Sequence, residues 1–303
     1  MIAIEFILAG MLAAATPFLL AALGELVAER SGVLNLGVEG MMAIGAAVGF
    51  ITVYSGGGHV MGFVLGGLSG AALSLVFAFV VLVLHANQVA AGLAIGIMGL
   101  GLSAYFGKPF ESFTVTGAGK IAIPVLTDLP AIGGLFRQDI VVWLSLLFAP
   151  ALWYVLKHSK LGLLLRAVGE NPHAASAIGY PVILIRLSAV AFGGLMAGIA
   201  GAYASTIYTP LWADGMIAGR GWIAVALVVF GTWMVGRVFL GACLFGAVSL
   251  GGIAAQTVGL AVPSQLLASL PYIVTILVLG IISSNRRLVK LNGIASLGEP
   301  LEK

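Results

Sequence analysis

Long stretches of this chain carry no charge, and their lengths set its architecture. Between Gly40 and Gly107 there is no Asp, Glu, Lys or Arg. Laid out as one helix, that run would reach about 100 Å, whereas a hydrocarbon core of about 30 Å takes roughly 20 helical residues. The run therefore predicts three crossings, with polar breaks at Ser55-Gly-Gly-Gly-His59 and His85-Ala-Asn-Gln88. A second uncharged run, Val238 to Ser284, predicts two crossings with a break near Gln256 to Pro263. With the remaining apolar segments, the pattern predicts nine helices (eight to ten), over about 4–28, 33–54, 60–84, 88–107, 140–156, 187–207, 222–236, 238–258 and 264–284. The seventh is too short to cross comfortably, which reads as a half-helix or one completed by its flanks. The expected fold is an all-α polytopic membrane protein, a single transmembrane domain over 1–303.

Composition closes off the alternatives. Hydrophobic residues make up 61% of the chain and charged residues 8%, where a soluble domain carries about 25% charge to clothe its surface. A soluble enzyme, a disordered chain and a nucleic-acid binder are excluded, despite the net charge of +3. The 43 glycines then read as close helix contacts, through spacings such as Gly66/Gly70, Gly92/Gly96 and Gly194/Gly198. The single Cys243 gives no intrachain disulfide framework.

The charges that do exist orient the chain. Placing the 157–186 loop and the 285–303 tail inside puts ten of the 14 basic residues inside and leaves Lys108, Lys120, Arg137 and Arg220 outside, as the positive-inside rule asks. The 107–139 segment is then an extracytoplasmic loop, 157–186 a cytoplasmic loop and the C-terminus cytoplasmic. The first residues, Met1-Ile-Ala-Ile-Glu5, lack the basic start of a cleaved signal, so the first helix is expected to persist. The first four and last four spans have opposite senses, as in an inverted repeat, and Arg30-Ser-Gly-Val33 and Arg220-Gly-Trp222 form a short basic, glycine-containing match between the halves.

Polar groups inside a bilayer are costly and so mark candidate sites. The densest cluster is Glu25, Glu29, Arg30, Asn35 and Glu39. Asn35 and Glu39, four apart, are expected on one helix face, and with Asn87 and Gln88 they are the candidates for a substrate pathway. A structural alternative stands beside each: Glu25 and Glu29 pairing with Arg30 or Arg237, Asn35 satisfying a neighbouring backbone, Asn87 and Gln88 capping a helix. His59 and His85 stand apart without metal-ligand spacing, so no metal and no cofactor is expected. Thr116-Gly-Ala-Gly-Lys120 fails as a phosphate loop, because Thr114 and Ile121 stand where glycine and Ser/Thr are required. The chain is expected to have no nucleotide site and not to be an enzyme.

The inside loop is more specific. Asn171 is expected as an N-cap, Pro172 at the first helical position, and Gly179 as the left-handed residue that ends a short helix. Such a helix is unstable alone in water. Its small Ala174, Ala175 and Ala177 suit a groove closing around it, the form of a helix-in-groove docking element.

The segments Glu29-Arg-Ser-Gly-Val-Leu-Asn-Leu-Gly-Val-Glu-Gly-Met-Met-Ala-Ile-Gly-Ala46, Gly169-Glu-Asn-Pro-His-Ala-Ala-Ser-Ala-Ile-Gly179 and Gly219-Arg-Gly-Trp-Ile-Ala-Val-Ala-Leu-Val-Val-Phe-Gly231 resemble the permease subunits of bacterial ABC importers. The group is the branched-chain amino acid/ribose class, and within it the nucleoside and simple-sugar permeases. The resemblance covers about residues 10 to 285. It implies cytoplasmic ABC ATPase subunits, a second and longer permease chain, an extracytoplasmic binding lipoprotein, and residence in the bacterial inner membrane. It also implies that Gly169, Glu170, Asn171, Pro172, Ala174, Ala175 and Gly179 form an ATPase-coupling segment. Tyr180 and His173 depart from the commoner pattern. The competing reading is an ion-coupled secondary transporter with Glu39 as its ion site.

Overall fold

The computed structural model describes residues 2–124, 127, 133–257 and 293–299, with scattered positions between 266 and 280. The chain runs α1 (Ile2–Arg30), α2 (Val38–Thr52), α3 (Gly58–Ala78), α4 (Gln88–Gly107), β1 (Lys120–Ala122), β2 (Arg137–Asp139), α5 (Ile140–His158), α6 (Lys160–Glu170), α7 (Pro172–Ala177), α8 (Val182–Tyr203), α9 (Arg220–Phe230) and α10 (Val235–Thr257). Five-residue π-helical turns, Val53–Gly57, Phe79–Val83 and Ala204–Tyr208, prolong α2, α3 and α8.

Five stretches are long and apolar enough to cross a membrane: Gly10–Arg30, Val38–Val83, Gln88–Phe110, Ile140–His158 and Val182–Tyr208. The second, 46 residues long, holds two crossings that reverse where Gly56 and Gly58 take φ of +88° and +72°, a backbone open to glycine at no steric cost. The next reversal comes at His85, itself at φ +57°, before Asn87 caps α4 by accepting from the Ala90 N–H at 3.0 Å. Shorter apolar helices cover Arg220–Phe230 and Val235–Gly251. The protein is an all-α polytopic membrane protein. The expected ninth span, 264–284, lies outside the continuously described residues.

The outer surface is apolar, unlike that of a soluble fold. Large apolar side chains such as Leu68, Phe79, Ile97, Phe106, Leu144 and Leu147 point outward, while Phe50, Phe77, Tyr203 and Phe245 fill the interior and glycines make the closest helix contacts. The α3–α8 contact is made at backbone distance: a Cβ on Gly70 would collide with the Gly194 carbonyl, and one on Gly198 with that of Gly66. Gly40 on α2 meets Gly96 on α4, and Gly45 meets Gly198. With no hydrophobic force between helices in lipid, such contacts supply the dispersion and Cα–H···O attraction that hold the bundle. The expected Gly66/Gly70 and Gly194/Gly198 ridges thus interlock with each other, whereas Gly92 packs on the backbone of Leu36. Helix α1, buried from Ala14 to Glu29, runs through the centre against α8, α9 and α10.

One end of the bundle, the basic end, gathers the ends of α1 and α5, the starts of α4, α8 and α10, and α6 and α7. At the other end the 107–139 segment forms the antiparallel β1–β2 hairpin, with Lys120 opposite Asp139. Asp139 closes the hairpin and caps α5, accepting from the Val141 and Val142 N–H groups at 2.9 and 3.1 Å. This small sheet was not readable from the segment's Pro/Gly-rich pattern.

Candidate functional site

Helices α2 and α9 are short, and their N-termini meet inside the bundle. Gly219, at φ +80°, precedes α9 and offers no side chain to cap it. The cap comes from Glu39 at the start of α2. One carboxylate oxygen accepts from the Gly219 N–H at 2.6 Å; the other accepts from Gly221 at 2.7 Å and Trp222 at 3.3 Å. The opening turn of a helix leaves donors without intrahelical partners, and one buried anion here supplies three of those on α9 while facing the positive ends of two helix dipoles. A Cβ at Gly221 would collide with the Glu39 backbone, so glycine is what lets the two ends approach. The Arg220 guanidinium lies over the Tyr208 ring, 5.6 Å from its centroid. At 11 residues α9 is too short to cross alone, in line with the shortness of the expected seventh span.

The chain reaches this junction by a loop. The expected helix over 33–54 begins only at Val38, so Asn35 lies in an irregular segment and does not share a helix face with Glu39. The loop leaves α1 through Gly32 at φ +90°. Asn35 is fully buried: its side-chain oxygen accepts from the Gly37 N–H at 2.9 Å, its amide NH2 faces the Met41 sulfur at 3.4 Å, and its backbone N–H donates to Glu25 at 3.0 Å. Gln88, also buried, accepts from the Leu34 N–H at 2.7 Å and donates to the Glu299 carbonyl at 2.9 Å. Asn35 and Gln88 therefore hold the 31–37 loop, while Glu39 ties the start of α2 to α9. Asn87 is exposed and caps α4.

Glu29 does not pair with Arg30 or Arg237. It accepts from the Trp233 indole N–H at 2.5 Å, while Arg30 donates to the Trp233 carbonyl at 2.8 Å. Trp233 sits in the turn between α9 and α10, where Thr232 and Trp233 take φ of +47° and +55°. The proposed match between Arg30-Ser-Gly-Val33 and Arg220-Gly-Trp222 does not hold at the level of position, since Arg30 ends a helix and Arg220 begins one.

At the basic end, α7 has the caps its sequence predicted. The Asn171 side chain accepts from the Ala174 N–H at 2.9 Å, Pro172 opens the helix, and Gly179 takes φ +92°. The Tyr180 N–H reaches the Ala175 carbonyl at 3.1 Å and the Gly179 N–H the Ser176 carbonyl at 2.9 Å, the paired bonds of a Schellman motif. The helix is six residues long. Ala175 points into the protein, 3% exposed, against Val168 and Val182. Ala174 faces outward, with Ile178 74% exposed and Tyr180 46%.

α6 and α7 are tied down by residues that no local pattern marks. The Ser296 hydroxyl donates to the Gly169 carbonyl at 2.6 Å and accepts from Arg186 at 2.9 Å; Arg186 also donates to the Ser31 carbonyl at 3.0 Å. Gly169 lies so close to Arg30 that a Cβ would strike its carbonyl. Glu170 is exposed beside this knot. Arg186 had a sequence signal, a charge at the mouth of an apolar span, but Ser296 had none. No group of three or more His, Cys, Asp or Glu suited to a metal occurs among the described residues.

Comparison with known proteins gives this architecture a family. Residues 7–282 match the family model described as "Branched-chain amino acid transport system / permease component". The putative glucose ABC transporter permease protein of Haloferax volcanii is 41% identical over 289 residues, 88% of each chain. The guanosine ABC transporter permease protein NupQ of Bacillus subtilis is 34% identical over 295 residues, 91% of each. The nucleoside ABC transporter permease protein NupC of Lactococcus lactis is 30% identical over 305 residues, 96% of each. The match spans the α1–α2 loop, the Glu39 junction and the capped α7 alike, and the chain belongs to the branched-chain amino acid transport system permease family.

Proposed function

We propose that this chain is the transmembrane permease subunit of an ATP-binding-cassette importer of the bacterial cytoplasmic (inner) membrane, passing a nucleoside first and a simple sugar next. It has no nucleotide site and is energised by separate cytoplasmic ATPase subunits. A second, longer permease chain completes the route, and an extracytoplasmic binding lipoprotein delivers the cargo. The relatives' names divide between nucleosides and glucose, which supports the cargo class.

The observation that carries the reading is α7: capped at both ends, held to the bundle by Ala175, and showing Ala174, Ile178 and Tyr180 outward. Apolar side chains on a six-residue helix at the basic end suit a protein groove. In this role Gly169, Glu170, Asn171, Pro172, Ala174 and Gly179 shape and present the ATPase-coupling element, and Ala175 anchors it. Asn35 and Glu39 set the route at the α2–α9 junction, with Gln88 holding the loop that leads to it and Asn87 capping the helix alongside.

Reconstitution tests the proposal. Vesicles holding this chain with its ATPase, partner permease and binding protein are expected to take up nucleoside only with ATP. Glucose competing better than any nucleoside would reassign the cargo. Uptake by this chain alone, driven by an ion gradient, would overturn the reading in favour of an ion-coupled transporter.

A further inference from the structure

A cleft of about 860 Å³ opens at the basic end between α5, α6 and the α9–α10 turn. Four cations line it, Arg30, Lys157, Arg166 and Arg237, against one carboxylate, Glu170. Their existing bonds are to neutral groups: Arg30 to the Trp233 carbonyl, Arg166 to the Gly162 carbonyl at 3.2 Å, Arg237 to the Thr232 hydroxyl at 2.5 Å. Lys157 lies over the Trp153 ring, 5.0 Å from its centroid. Among the described residues no carboxylate pairs with any of the four. A cleft with three net positive charges, whose cations have no carboxylate partner among the described residues, is built for an anion.

Its position says which anion. Trp153, Tyr154 and His158 are exposed at the foot of α5, the last turns of a membrane span. Aromatic rings of this kind sit at headgroup level, so the mouth of the cleft faces the membrane–water boundary. Leu163 and Met234 stand exposed at its rim, and Leu240 is exposed one turn further along α10, which gives an acyl chain an apolar face beside the charges. The volume falls within the range of small-ligand sites.

We propose that this cleft binds the phosphate of an anionic phospholipid, with Arg30, Arg166 and Arg237 on the phosphate and Lys157 at the lipid-facing rim. The shared chemistry is a phosphate oxyanion, and free inorganic phosphate is the other source. The cleft adjoins the coupling element through Glu170 but is not formed by the outward residues of α7, Ala174 and Ile178.

Native mass spectrometry of the purified full-length transporter, exchanged into phosphatidylglycerol or phosphatidylcholine, tests this. Phosphatidylglycerol is expected to be retained preferentially. Removing charge with Arg166→Gln/Arg237→Gln is expected to weaken retention by roughly fivefold for each charge, whereas Arg166→Lys/Arg237→Lys retains most of it. Lys157→Gln, at an exposed position, gives the same direction of change should the double variant fail to fold. Lys120→Gln/Arg137→Gln, at the opposite end, leaves retention unchanged. Equal retention of the two lipids, no loss in the Gln variants, or displacement by millimolar inorganic phosphate would each overturn the lipid assignment.

Discussion

Glu39 shows how much one side chain can hold in lipid. Its two oxygens accept three backbone donors from a helix 180 residues away. Leaving buried donors unmet costs ~1–3 kcal/mol apiece in desolvation. Glu39→Ala is therefore expected to lower the unfolding temperature in detergent steeply, and Glu39→Gln, which keeps an acceptor but loses the charge, less so. Equal midpoints for wild type and Glu39→Ala would remove the junction from the structure's supports. The Glu29–Trp233 bond is tested by a double-mutant cycle. Trp233→Phe strips the acceptor Oε2 of its donor while Oε1 already has no partner in the described structure, so it is expected to cost about 1–3 kcal/mol. Most of that loss should vanish when Glu29 is also replaced by Leu; additive costs would mean the two do not interact. Glu39's weight was half legible in the sequence. A carboxylate in an apolar run announces that something must satisfy it, but not what.

At the level of elements, α7 was legible nearly in full, because caps are local chemistry: a side chain three residues from its N–H partner, a glycine where the backbone turns left-handed. Asn171→Ala is expected to cost about 1 kcal/mol of local stability and Gly179→Ala about 1–2 kcal/mol, both read as faster hydrogen exchange of the Ala174 and Tyr180 amides with the bundle unchanged. What the pattern could not say was which alanine faces out. Ala174→Arg is expected to leave expression intact and abolish ATPase co-purification. Ala175→Arg must bury a guanidinium against Val168 and Val182 and is expected to fail in expression itself. The reverse pair of results would turn the coupling face around. The start of α2 was misread for a related reason: Val33 to Gly37 is as apolar as the helix that follows it, and its non-helical course depends on Glu25 and Gln88, from other elements.

Across the molecule, the glycines divide by what they meet. Gly70 and Gly198 face backbone across the α3–α8 contact, whereas Gly101, on the exposed side of α4, has nothing within 4 Å. Gly198→Leu is expected to push two helices apart and leave no monodisperse protein on size exclusion. Gly101→Ala is expected to be neutral or to add up to about 1 kcal/mol from helix propensity. A well-behaved Gly198→Leu variant would contradict the interlocked core. Composition alone could not separate these two glycines, since both sit in apolar runs with similar spacing.

By itself the sequence determined the solvent, the approximate limits of most of the described apolar helices, the shortness of α9 and the caps of α7. Each follows from short-range physics: transfer free energy summed over some 20 residues, or a hydrogen bond closed within one turn. Only the tertiary structure decided that α2 and α9 meet end to end at Glu39, that Asn35 leaves the helix face, that Trp233 is the partner of Glu29, and that Ser296 ties Gly169 to Arg186. The Glu39, Glu29 and Ser296 bonds join residues more than 100 positions apart, and Asn35 is held off the helix by Glu25 and by the loop's bond to Gln88, which come from other helices. In a chain with so few polar groups, each finds its partner through the packing of the bundle rather than through its neighbours in sequence.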